Sequence, residues 1–198
     1  MNTEAAAPLD ADQLRVLGET RRVGKKLRLA RAVAMTNVVS LAFLASSTLV
    51  LGAFSLTLSP VGLALAALAY NEERGRRLLV AVDPRAPRQL ALNQLALLAL
   101  VVVYCVWNAY AAWTGPDPLD ALASQSDSLN ETLREVSSQT GESFGELGKW
   151  ARMAALIVYG VVLAVSAVVQ GLTAFYYHSL RASVLAFAAA PAWARALG

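Results

Sequence analysis

From Ala32 to Asn71 the chain runs for 40 residues without a charged side chain. Two further charge-free runs follow, Gln89 to Pro116 and Met153 to Leu180, each of 28 residues. A spanning helix needs about 20 apolar residues, and a charge at the bilayer centre costs about 2.5–3.5 kcal/mol on insertion scales. Three such runs constrain the chain to an all-α fold, an integral membrane helical bundle. Composition agrees: with 57% hydrophobic and 16% charged residues, the chain has too little polar surface to cover a water-soluble domain.

The first run has to turn. At 1.5 Å per residue, 40 residues make a helix of about 60 Å against a hydrocarbon core of about 30 Å. The turn is expected either at Gly52 to Ser55 or at Ser59-Pro60, where Ser is a favoured N-cap and Pro a favoured first helical residue. This gives four transmembrane helices, over 32–58, 59–73, 89–113 and 151–177. The second is short, because Glu72 comes 12 residues after Pro60, so the first two form either a tight crossing pair or an inserted hairpin. Trp107, Tyr110 and Trp113 close the third span, and Trp150, Tyr176 and Tyr177 flank the fourth, as expected of rings at a membrane interface.

Charge sets the orientation. Fourteen of the 17 Lys and Arg lie in three segments: 1–31, a basic helix with Asp10 as its expected N-cap; 74–88, a basic loop stopped by Asp83-Pro84 and Pro87; and 178–198, the C-terminal tail. The segment 114–150 holds seven acidic residues. By the positive-inside rule both termini are expected to be cytoplasmic, with 114–150 outside. The Ala-, Leu- and Arg-rich composition points to a bacterial inner (plasma) membrane. About 30 residues precede the first apolar run, which is too long for a signal-peptide core, so the N-terminus is expected to stay attached.

The basic residues nearest the membrane, Arg21, Arg22, Lys25, Lys26, Arg28, Arg31, Arg74, Arg76 and Arg77, are candidates for facing anionic lipid of the inner leaflet. No aromatic interleaving or fold signature points to nucleic acid. Within the spans the polar residues are uncharged, and Asn37, Asn93, Gln94, Asn108 and Gln170 are expected to hydrogen-bond between helices. Small residues one turn apart, such as Gly160, Ala164 and Ala167, suit close helix packing. In 114–150, residues from Leu119 to Trp150 alternate spacings of 3 and 4, the register of a coiled-coil seam. Leu119, Leu122, Leu129, Leu133 and Val136 form its candidate partner face, although Gly141, Gly145 and Gly148 weaken the helix. The segment is expected to be an amphipathic extracytoplasmic helix between spans three and four.

Catalytic and metal chemistry find little to stand on. The single Cys105 lies in an apolar run, His178 is the one His, and no Gly-rich phosphate loop or nucleophile elbow occurs. Glu72, Glu73, Arg74, Arg76 and Arg77 read as a salt-bridged helix end, leaving no ionisable group for the bundle interior. No cofactor, metal site or catalytic residue is assigned. The expected function is that of a non-enzymatic small membrane protein, a scaffold or assembly factor that packs with itself or a partner. The alternative is an oligomeric channel or uncoupled carrier built around the Asn and Gln faces. A third reading, a lipid-headgroup enzyme at the inner face, has Glu72, Glu73, Asp83 and His178 as its candidate catalysts.

Overall fold

The computed structural model describes residues 10–53, 58–115, 131, 135, 138 and 144–197, and among them every regular element is a helix. The principal elements are α1 (Ala11–Gly52), α2 (Ser59–Val80), α3 (Ala86–Thr114), α4 (Phe144–Ala189) and α5 (Ala192–Leu197). Three of them, α1, α3 and α4, are long and apolar enough to cross a membrane. The candidate partner face of Leu119, Leu122, Leu129, Leu133 and Val136 lies outside the described residues.

α1 is one continuous helix of 42 residues, about 63 Å long. It joins the basic N-terminal segment to the first apolar run without a break. Asp10 caps it as its position suggests: its carboxylate accepts from the Ala11 N–H at 2.7 Å, and Gln13 Oε1 accepts from the Asp10 N–H at 3.1 Å. Such reciprocal capping satisfies backbone donors that the first turn leaves open. The helix ends at Gly52. Ser59 is not the N-cap expected of it: Leu58 holds that position and Ser59 begins α2. The Ser59 hydroxyl donates instead to the Gly52 carbonyl at 2.8 Å, and Pro60 occupies the first turn of α2, where its missing N–H costs nothing.

α2 ends by a different device. The Asp83 N–H reaches the Leu78 carbonyl at 2.9 Å and the Val82 N–H the Leu79 carbonyl at 3.2 Å, the two bonds of a Schellman cap. Val82 takes the left-handed position, with φ of 58°. Asp83 then turns the chain into α3, its carboxylate accepting from the Arg85 N–H at 2.8 Å.

The chain divides into two compact units, Met1–Leu97 with Gln170–Gly198, and Leu98–Val169. In the first, the core is built from Leu27, Ala30 and Ala34 of α1, Leu79 of α2, Ala86 and Leu90 of α3, and Tyr177, Leu180 and Val184 of α4. Its place is informative, because these residues lie among the basic segments rather than in the middle of the apolar runs. Hydroxyls in α1 satisfy themselves locally: Thr36 donates to the Ala32 carbonyl and Ser46 to that of Ala42, the arrangement expected where water is absent. In the second unit, Arg152 donates to the Gly115 carbonyl at 3.0 Å and Cys105 is buried. Val161, Val165 and Val168 of α4 are more than half exposed.

Candidate functional site

Glu72 is fully buried. The expectation that it shares an exposed, salt-bridged helix end with Glu73 is corrected: only Glu73 does so. The reason is helical geometry, since neighbours are turned by 100° and α2 buries a stripe at Leu68, Glu72, Gly75 and Leu79. Glu73, one step around, meets Arg76 Nε at 2.6 Å and Arg77 Nε at 2.8 Å.

Four neutral side chains from three other helices converge on Glu72. Asn93 Nδ2 donates to Oε2 at 2.7 Å, and Gln94 Nε2 to Oε1 at 3.2 Å. Asn37 Nδ2 and the Tyr177 hydroxyl also donate to Oε1, each at 3.3 Å. Asn37 is within 3.3 Å of the Tyr177 oxygen as well, and Asn93 Nδ2 also reaches the Leu68 carbonyl at 3.1 Å. Three of the four donors thus fall on Oε1 and one on Oε2, so both oxygens of the carboxyl are engaged. The assembly ties α1, α3 and α4 to one atom pair on α2. Removal of Asn93 takes from Oε2 its donor in the network, and a buried polar group left unmet costs about 1–3 kcal/mol.

The sequence-level candidates separate into groups. Asn37, Asn93 and Gln94 come together on Glu72, whose own role the sequence reading missed. Asn108 bonds instead to the Tyr104 carbonyl of its own helix at 2.8 Å, and Gln170 is half-buried on α4. Arg22, Lys25, Lys26 and Arg28 are exposed along α1, while Arg21 reaches the Leu197 carbonyl at 3.3 Å. Arg31 is drawn away from lipid: its guanidinium donates to the Leu79 and Val80 carbonyls at 3.3 Å, where a cation complements the C-terminal dipole of α2. Arg76 and Arg77 serve Glu73, Arg74 is exposed, and Asp83 is occupied in its turn. Glu72, Asp83 and His178 lie on different elements, and among the described residues no group of three His, Cys, Asp or Glu is placed to hold a metal ion.

The fold and this network together define an all-helical protein with three helices suited to a membrane and a buried carboxylate locked by amides and a phenol. Comparison with protein families, with curated proteins and with solved structures found no match to the chain.

Proposed function

We propose that this chain is a non-enzymatic multi-pass membrane protein that acts by helix packing with a second copy or another membrane protein. The observation that carries the reading is the small-residue stripe of α4. Gly160, Ala164 and Ala167 are exposed, and a Cβ added at Gly160 would meet nothing within 4 Å. In a bilayer, where lipid is as apolar as Leu, such stripes let two helix backbones approach closely.

The reading includes four crossings with both termini on the cytoplasmic face of a bacterial inner membrane. Arg31 lies one residue before the charge-free run of α1, yet its guanidinium reaches the end of α2. A crossing by α1 then implies a return by α2 over the same distance, which supports a crossing pair over a shallow hairpin. The cage around Glu72 makes that return tolerable, since its carboxylate meets donors in place of water. Segment 114–150 would lie outside, available to the partner.

The test is the mass of the full chain in mild detergent by light scattering, with Gly160→Leu and Ala164→Leu as variants. A defined oligomer or stoichiometric partner, reduced by either variant, is expected. A monodisperse monomer without a partner overturns the proposal. Topology reporters at Ser55 and Ser126 test the crossings, and both are expected outside.

A further inference from the structure

A cleft of about 1280 Å³ is lined by α2, the first turns of α3 and the last third of α4. Arg74, Arg85, Arg88 and Arg181 line it with His178, and no Asp or Glu does. All four arginines are exposed, and among the described residues no ion pair or side-chain hydrogen bond engages their guanidinium groups. Arg76 and Arg77, by contrast, are answered by Glu73. Four unanswered cations around one space raise a positive potential that an anion would relieve. The cleft also includes the start of α3, whose dipole adds to that potential.

The lining is graded in the same sense on each helix. Along α3 it passes from Arg85, just before the helix, and Arg88 to Leu92 and Leu95; on α4, from Arg181 through His178 to Phe175 and Gly171; on α2, from Arg74 to Leu68. From Arg88 to Leu95 the rise along α3 is about 10 Å, and from Gly171 to Arg181 along α4 about 15 Å. Leu92, Leu95 and Phe175 stand about half or more exposed, and a Cβ at Gly171 would meet nothing within 4 Å, so the apolar part is open.

A ligand that fits has an anionic head and a hydrocarbon body in that order. We propose that the cleft binds one anionic glycerophospholipid, its phosphate among the four arginines and the upper part of an acyl chain along Leu92, Leu95 and Phe175. Basic pockets between membrane helices recognise lipid headgroups by this chemistry. A free phosphate would leave the apolar half empty. The proposal rests on the membrane reading and is independent of the assembly role.

Native mass spectrometry of the full chain, titrated with phosphatidylglycerol or phosphatidylcholine, tests it. Phosphatidylglycerol is expected to be retained preferentially, and Arg88→Gln with Arg181→Gln to weaken retention about five-fold per arginine. Leu95→Trp, which narrows the apolar part at unchanged charge, is expected to weaken it too. Arg15→Gln with Arg195→Gln removes the same charge outside the cleft and is expected to leave retention unchanged. Inorganic phosphate at equal concentration is expected not to compete. Equal retention of the two lipids by the wild-type chain overturns the proposal, whatever the variants do. So does an equal loss in the Arg15 and Arg195 control, or displacement by phosphate. The same spectra give the protein's mass, so failure of the lipid site and failure of the assembly reading are read separately.

Discussion

Asn93 and Glu72 form the shortest bond of the buried network, 2.7 Å from Nδ2 to Oε2, while the same nitrogen is held by the Leu68 carbonyl at 3.1 Å. Asn93 is thereby aimed from both sides. Asn93→Leu leaves Oε2 without its donor and is expected to lower stability by about 1–3 kcal/mol or more, as for a buried group to which water has no access. Glu72→Leu removes an acceptor from four donors, of which Asn93 and Asn37 keep a second partner, and should cost at least as much. The double variant should cost less than the sum, since each change removes the other's orphan. Thermal unfolding in one detergent, followed by tryptophan fluorescence, completes the cycle; strict additivity would mean that the two do not interact.

Much of the fold was legible because it follows from runs, caps and breakers. The Asp10 cap, Pro60 in the first turn of α2 and the stop at Asp83-Pro84 are local signals with local causes, whereas the cap expected of Ser59 falls one residue earlier, at Leu58. Glu72 was not legible from charge alone, because beside Glu73, Arg74, Arg76 and Arg77 it looks like one more exposed ion. The signal that separates it is spacing. Leu68, Glu72, Gly75 and Leu79 step by 4, 3 and 4, as do Ala86, Leu90, Asn93 and Leu97 on α3, and all eight are buried. Asn93 and Glu72 thus stand in two seams, and their meeting depends on the alignment of one seam against the other. That alignment is set by the turn at Val82 and Asp83, which no periodicity reports. Asn37 and Tyr177 are farther still in sequence, so their convergence is a tertiary fact.

The two seams come close at Gly75. A Cβ there would lie 2.6 Å from Leu90 Cδ2 and 2.9 Å from its Cγ, and Leu90, fully buried, has little room to turn. Overpacking of this kind costs about 1–3 kcal/mol, against a gain of about 1 kcal/mol in helix propensity for Gly to Ala. Gly75→Ala is expected to be destabilising, and Gly75→Leu severely so. Gly18 offers the contrast on α1, since a Cβ there meets nothing within 4 Å. Gly18→Ala should show the propensity gain by itself, so the two glycine variants move the melting temperature in opposite directions.

Glu73 provides a less buried counterpart to the network. Arg76 and Arg77 pair with its carboxylate at 2.6 and 2.8 Å. Because the cluster is partly exposed, the contribution should not exceed about 1 kcal/mol, and salt should screen it. Glu73→Gln is expected to be slightly less stable than the parent at low salt and to approach it at about 1 M salt. A difference that persists at high salt would assign the effect to packing instead.

Val82 turns the chain between the two seams, and it does so at φ of 58°. For a branched side chain this left-handed conformation costs about 1–2 kcal/mol, which Gly does not incur. Val82 also packs against the core that joins Leu79, Leu90 and Tyr177, and it is half-buried, so its side chain returns about 1 kcal/mol of that cost. The two terms predict an inverted order of substitutions. Val82→Ala loses packing and keeps the strain, so it should fall below the parent by about 1 kcal/mol. Val82→Gly loses the same packing but is released from the strain, and it should be at least as stable as the parent. In an ordinary helical position Ala exceeds Gly by about 1 kcal/mol, so the order Gly above Ala is specific to a left-handed cap. Paired melting curves of the two variants decide it, and Ala above Gly would show that Val82 carries no strain.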